Sequence, residues 1–246
     1  MNLHERMKQY EAVSQTYLMR RTPVIIRLDG VAFPTFTKNF DKPLDEVLGT
    51  AMKGTTIYLV NNIQGCVLGY TQSDEISLVL QDYKKLDTDA WFGYNVQKLV
   101  SVSAKMATAQ FNKLFNRYIA FLPGETSGRY REAILENIGF DSRCWNLPFE
   151  EVNNYLIDRQ QDAERNSINL LAQQYYTQKE LDGIKSKKLQ DKLFTEHGVN
   201  WNDLPIEQKR GYVYIPRSNP KFDEYNRFTP IFSQEPEFVN SLIKFD

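Results

Sequence analysis

Two periodicities divide the chain. Val24-Ile25-Ile26-Arg27-Leu28 is a β-branched apolar run that stops at Asp29-Gly30. A buried strand ends this way when it delivers a carboxylate to the edge of a sheet. Cys66-Val67-Leu68-Gly69-Tyr70 and Glu75-Ile76-Ser77-Leu78-Val79-Leu80 flank the polar turn Thr71–Asp74 and predict a hairpin over 65–81. Between strand and hairpin, Leu44, Val47, Leu48, Ala51, Met52, Thr55 and Leu59 recur at three- and four-residue steps. That spacing predicts a helix opened by Lys42-Pro43-Leu44-Asp45 and lasting to about Asn62. Trp91, Phe92, Val96, Leu99, Ser103, Met106 and Phe111 mark a second long helix, and Tyr118–Leu122 reads as a further strand.

The order strand, helix, hairpin, helix, strand matches a split βαβ unit, an antiparallel sheet with two helices on one face. Nucleotidyl-transfer palms share this order, so the fold class is α+β, palm-like over 1–135, with a helix-rich part over 136–246 packed on it. In the flanking stretches, residues 5–18 read as an amphipathic helix and 30–43 as a loop carrying Phe33, Phe36 and Phe40. Residues 123–131 read as a mobile surface loop, Phe140–Trp145 as a short strand, and Pro148 as the start of a long helix. Lys179, Lys185, Lys187, Lys188 and Lys192 form a solvated face, since Glu180, Asp182 and Asp191 interrupt them. Tyr212–Ile215 alternates as a strand, and the last thirty residues, with Pro216, Pro220, Pro230 and Pro236, read as irregular.

Composition narrows the class without naming a chemistry. With 41% hydrophobic and 25% charged residues, the 246-residue chain has an ordinary globular balance. No apolar run approaches the roughly 20 residues of a membrane span, and no signal peptide opens the sequence. Cys66 and Cys144 lie in apolar segments, as reduced thiols do, and a cytoplasmic location is expected. A net charge of −1 argues against a broadly basic nucleic-acid surface.

If the first strand lies beside the hairpin, Asp29 and Asp74 meet at one end of the sheet. Carboxylates with a carbonyl suit Mg²⁺, which is held by one or two carboxylates plus substrate phosphates. The arrangement points to two-metal phosphoryl or nucleotidyl transfer. Asp-Gly and Ser-Asp are also common turn pairs, so the same residues suit plain turns. Lys42, ahead of a helix N-terminus, suits a triphosphate, or is simply solvated with Asp45 in the first turn. Lys98 acquires a role only if its helix runs under the phosphates. His4 and His197 have no partner at zinc-ligand spacing. The glycines of 123–131 lack the Gly-Lys-Ser/Thr ending of a P-loop.

Six stretches in order carry a resemblance. They are Arg27-Leu28-Asp29-Gly30 with Phe33 and Phe36, Lys42-Pro43-Leu44-Asp45, and Tyr70 to Ser77. Phe140-Asp141-Ser142-Arg143, Tyr155 to Asp162, and Asn202-Asp203-Leu204-Pro205 before Arg210-Gly211 complete the set. Together they resemble the tRNA-His guanylyltransferase family, including its bacterial and archaeal guanylyltransferase-like members, over about residues 20–215.

The resemblance implies a palm that adds nucleotides to tRNA 5′ ends in the 3′-to-5′ direction. It implies two Mg²⁺ ions on Asp29, the Gly30 carbonyl and Asp74, with Glu75 adjacent as a further catalytic carboxylate. Lys42, Asp45, Ser73 and Lys98, with Gly30 and Phe33, would surround the nucleotide. ATP, GTP, other nucleoside triphosphates and tRNA are the implied partners, and a homotetramer the implied assembly.

Three departures qualify it. Glu164-Arg165-Asn166-Ser167 stands where eukaryotic members carry a His-Ile-Asn-Asn stretch tied to the histidine anticodon. Tyr94-Asn95 stands for paired arginines, with weaker triphosphate binding expected, and Leu44 stands for an asparagine. These changes favour the branch that repairs 5′-truncated tRNA by template-directed addition over a tRNA-His-specific enzyme. A non-catalytic RNA-binding module on the same scaffold stays open, although such sheets stack bases on exposed aromatics. Here the central strands carry Cys66, Val67, Leu68, Ile76, Leu78 and Leu80. A two-metal nucleotide cyclase is a third reading.

Overall fold

In a computed structural model, a five-stranded antiparallel sheet of order β4-β1-β3-β2-β5 organises the chain. The structure describes residues 1–42, 45–136, 138–219, 222 and 229–244; Pro43, Leu44 and Pro220 of the sequence reading lie outside them. The strands are β1 Val24–Gly30, β2 Cys66–Gln72, β3 Glu75–Leu80, β4 Phe140–Asn146 and β5 Tyr212–Tyr214. β4 and β5, both C-terminal to residue 135, thus complete the sheet begun by the N-terminal strands.

Helix α1 (Leu3–Ala12) precedes β1, ends before residue 18 and buries none of its side chains. A short helix α2 (Phe33–Phe36) follows β1, and α3 (Glu46–Asn62) leads to the hairpin. The stretch 30–43 is therefore not an open aromatic loop, because Phe33, Phe36 and Phe40 are buried against Phe111 and Phe115. Helix α4 (Val96–Ala120) starts later than the apolar pattern suggests. Phe92 and Gly93 have left-handed backbone, and Asn95 caps the helix through Lys98 N at 3.0 Å.

Tyr118–Leu122 is the end of α4 and not a strand, since Phe111, Phe115 and Ile119 continue the buried helical stripe. β4 takes the fourth strand's place. Residues 124–135 form α5 (Gly124–Ser127), a 3₁₀ turn and α6 (Arg131–Leu135), and Tyr130 within them is buried. The later helices are α7 (Glu151–Ala172), α8 (Gln178–Leu181), α9 (Ser186–His197) and α10 (Ile206–Arg210). The C-terminal stretch adds α11 (Pro236–Ile243), with Phe238, Val239, Leu242 and Ile243 buried.

Both sheet faces are covered. α3 and α4 cover Ile26, Leu28, Ile76 and Leu78, while α7 and α11 pack Val152, Leu156 and Val239 on Ile25, Leu68 and Val79. Each such side chain contributes about 1.5–3 kcal/mol when fully buried. A third cluster, Ile168, Leu171, Leu189, Leu193 and Trp201, joins the end of α7 to α9. Cys66 and Cys144 are free thiols, and burial pushes Cys66 up to about 12. Among the described residues no helix is long and apolar enough to cross a membrane.

Candidate active site at the acidic end of the sheet

Strand alternation sets the site. In β1, Ile26 and Leu28 face α3 and α4, so Ile25, Arg27 and Asp29 share the opposite face. Val79, Ser77 and Glu75 of β3 lie beside them, with register pairs Ile25↔Val79, Arg27↔Ser77 and Asp29↔Glu75. On the other side Asp29 pairs with Asp141 and Arg27 with Arg143 of β4. This face is apolar at one end and charged at the other.

The β2–β3 turn brings Asp74 to the charged end. Ser73, exposed, has φ +50°, a conformation that costs a non-glycine residue about 1–2 kcal/mol. Gly30 N donates to Asp74 O at 3.2 Å, which ties the turn to the end of β1. Asp29 and Asp74 therefore converge. Burial raises the Asp74 pKa above the ordinary aspartate range, and the Asp29 charge raises it further.

Three arginines are threaded among the carboxylates. Arg27 lies 3.0 Å from Glu75 Oε2 and 3.3 Å from Asp29 Oδ1. Arg159, reaching in from α7, lies 3.3 Å from Glu75 Oε2 and also pairs with Asp158 and Asp162. Arg143 lies 3.1 Å from both Asp29 Oδ2 and Asp141 Oδ1. Its approach to Asp29 has ionic distance without hydrogen-bond alignment, which leaves Asp29 Oδ2 buried and without a hydrogen bond.

Glu75 is a brace and not an open ligand. It is 5% exposed, Ser77 Oγ donates to its Oε1 at 3.2 Å, and both Arg27 and Arg159 hold its Oε2. Burial still raises its pKa, with the two guanidinia opposing the shift. Tyr155 of α7 closes the space with its hydroxyl 2.7 Å from Ser77 Oγ.

The other expected residues have these surroundings. A Cβ on Gly30 would lie 2.1 Å from Phe33 Cδ2, so glycine admits the Phe33 ring there. Phe33 packs on Phe36, Phe111 and Phe140 and offers no stacking surface to a nucleotide. Asp45, 3% exposed, is the N-cap of α3 and accepts from Leu48 N, Asp41 N and Tyr130 OH. Both of its oxygens are engaged. Lys42 is exposed, its carbonyl accepting from Gln174.

Helix α4, which carries Lys98, packs on the sheet face of Ile26 and Leu28, opposite to that of Asp29. Phe140 N meets Thr108 Oγ1 and Ser142 meets Ser103, so α4 runs antiparallel to β4. Its start lies by Leu18 and Thr16, at the Val24–Asn146 end. Lys98 precedes Ser103 by five residues, about 7.5 Å along the helix axis from the level of Ser142 and its strand partner Leu28. The Tyr94-Asn95 pair lies at the Val24–Asn146 end too. Leu44 lies outside the described residues.

Arg143, Arg159 and Tyr155 received no role from the sequence. The signal for Arg143 was available: Arg27-x-Asp29 and Asp141-x-Arg143 each place an acid and an arginine on one strand face. The donor set offers hard oxygens, and two converging carboxylates, one with an unbonded buried oxygen, fit a divalent cation. Among the described residues no three acidic, histidine or cysteine side chains form a ready-made metal cage.

Residues 4–148 match a family model described as Thg1, tRNAHis guanylyltransferase. A bacterial tRNA(His) guanylyltransferase (Thg1)-like protein in complex with ATP is 43% identical, with a TM-score of 0.87. That alignment covers 99% of this chain and 100% of the other. A bacterial Thg1-like protein in complex with GTP is 40% identical at a TM-score of 0.79, covering 99% of both chains. The tRNA(His) guanylyltransferase of Schizosaccharomyces pombe is 28% identical over 97% of this chain and 90% of its own length. The chain belongs to the tRNAHis guanylyltransferase (Thg1) family, nucleotidyltransferases acting on the tRNA 5′ end.

Proposed function

We propose that this protein adds nucleotides to tRNA 5′ ends in the 3′-to-5′ direction, with two Mg²⁺ ions, as a template-directed repair enzyme for 5′-truncated tRNA. The observation that carries the reading is the convergence of Asp29 and Asp74 at one sheet end, in a relative of nucleotide-bound bacterial proteins. Asp29, Asp74 and the Gly30 carbonyl would hold the metal. When bound, the ions supply neutralisation of phosphate charge and a lowered pKa for the attacking 3′-hydroxyl.

In the proposed sequence the tRNA 5′-monophosphate attacks the α-phosphorus of ATP and displaces pyrophosphate, and the incoming nucleotide's 3′-hydroxyl then attacks the 5′ phosphorus of the adenylylated end and displaces AMP. The chain's own part is positioning. Glu75, clamped by Arg27 and Arg159, fixes the Arg27 guanidinium beside Asp29, and Ser73 in the turn stands next to Asp74. Watson–Crick pairing with the 3′ half of the acceptor stem selects each nucleotide, as reading is delegated to base pairing in guided systems. Lys42, exposed ahead of α3, remains available to phosphates.

The stretch 164–167 supports repair over tRNA-His specificity. Glu164 pairs with Arg210 at 2.6 Å, and Ser167 Oγ accepts from Trp201 Nε1 at 2.8 Å. Glu164 and Ser167 thus join α7 to its neighbours, while Arg165 and Asn166 between them are exposed. The homotetramer belongs to the proposal, with Leu3, Met7 and Tyr10 of α1 exposed for contacts between copies.

The test offers mature and 5′-truncated tRNAs of several identities with each nucleoside triphosphate and maps what is added. Metal-dependent restoration of truncated ends is expected. Addition confined to tRNA-His would overturn the repair assignment, and activity surviving both Asp29→Ala and Asp74→Ala would overturn the metal assignment.

A further inference from the structure

The three site arginines are not equivalent. Arg27 and Arg159 are held by a buried carboxylate, Glu75, and have side chains 25% and 15% exposed. Arg143 stands on the edge strand β4 with its side chain 55% exposed. Its two contacts also differ. Toward Asp141, on its own strand, it makes an aligned hydrogen bond of 3.1 Å. Toward Asp29 it has only proximity, and the facing Oδ2 accepts no hydrogen bond.

We infer that Arg143 is a placeholder cation. It compensates Asp29 while no metal is bound, and with a divalent cation on Asp29 it pivots on Asp141 to take a phosphate of the incoming triphosphate. The inference rests on the proposed metal-dependent reading. A cation at Asp29 repels a guanidinium 3.1 Å away, whereas Asp141 retains the tether. Half-exposure gives the side chain room to turn, and the planar fork of arginine suits phosphate oxygens better than a lysine ammonium. One residue would thereby share with Arg27 the compensation of Asp29 before metal binds, and add a ligand contact once metal arrives.

The device has a signature that a structural role lacks, namely effects of opposite sign on two ligands. Mn²⁺ binding without nucleotide is read by electron paramagnetic resonance, and GTP binding at saturating Mg²⁺ by equilibrium dialysis. Arg143→Gln is expected to bind Mn²⁺ about threefold tighter, the size of a half-exposed charge contact. The same variant is expected to bind GTP about tenfold more weakly, through loss of a charge-assisted phosphate contact. Arg143→Lys keeps the charge, so its Mn²⁺ affinity stays near wild type while GTP binding falls. Unchanged or weaker Mn²⁺ binding in Arg143→Gln, or unchanged GTP binding, overturns the proposal. Wild-type protein that binds no Mn²⁺, or Asp29→Asn that still binds it fully, refutes the metal reading and this inference with it.

Discussion

Replacing Arg159 with Met removes one guanidinium from a carboxylate that is 5% exposed and keeps the aliphatic volume. Breaking a buried ion pair costs about 3–5 kcal/mol when the surviving charge is left alone. Glu75 is not left alone, because Arg27 stays 3.0 Å from the same oxygen. About half the penalty, about 2 kcal/mol, is therefore expected at neutral pH, or about 4–8 °C in melting temperature for a chain of this size. The pH dependence follows from the sign of the shift. Glu75 has its folded pKa above its ordinary value, so it lowers stability as pH rises from the usual glutamate range through the folded value. Without Arg159 that value climbs further. The deficit of the variant should be complete above the new value and shrink in acid, where the Glu75 carboxyl is neutral in both proteins and only the more exposed pairs with Asp158 and Asp162 remain to be lost. Urea titrations near pH 4.5 and pH 7.5, with Glu75→Gln and the double variant closing a cycle, read this directly. An equal deficit at both pH values, or additive single effects, would refute the claim that Arg159 acts through Glu75.

Three further outcomes follow from the same geometry. Gly30→Ala must displace the Phe33 ring that sits 2.1 Å from the new Cβ, at about 1–3 kcal/mol in urea titration. Asp45→Ala removes the acceptor for Leu48 N and Tyr130 OH and should cost about 2 kcal/mol in thermal melts. Asp74→Asn removes a carboxylate whose pKa is raised, hence one that lowers stability as pH rises through the folded value. That variant should keep its melting temperature at pH 7 without metal and lose at least tenfold in Mn²⁺ affinity.

Where one period dominates, the pattern of apolar positions read the fold well. The helix capped by Asp45, the hairpin of β2 and β3, and β1 all lie close to where period 3.6 or period 2 places them. Reading failed where an apolar run suits two periods. Tyr118–Leu122 is continuous enough for a strand, yet Ile119 falls four residues after Phe115 on a stripe that α4 is already burying. Phe33, Phe36 and Phe40 look like a loop because their stretch lacks a long helical period. Their burial depends on Phe111 and Phe115, more than seventy residues away in sequence.

For the site, legibility divided by strand and helix. Asp29 and Asp74 were readable because a strand end and a hairpin turn fix where a carboxylate sits. Where Lys98 lies depends on the direction of α4 relative to β4, which no local pattern encodes. Arg159 was silent for a related reason: on α7 it falls between Asp158 and Asp162, and only the packing of that helix across the sheet brings it to Glu75. The same sheet face thus does two jobs. Ile25, Leu68 and Val79 bury against α7 at one end, and the stability of that contact holds Tyr155 and Arg159 over Ser77 and Glu75 at the other. Apolar packing at the Val24 end is what makes a buried, charged end tolerable, and substitutions at Val152 or Leu156 should disturb the arginine brace without touching a carboxylate.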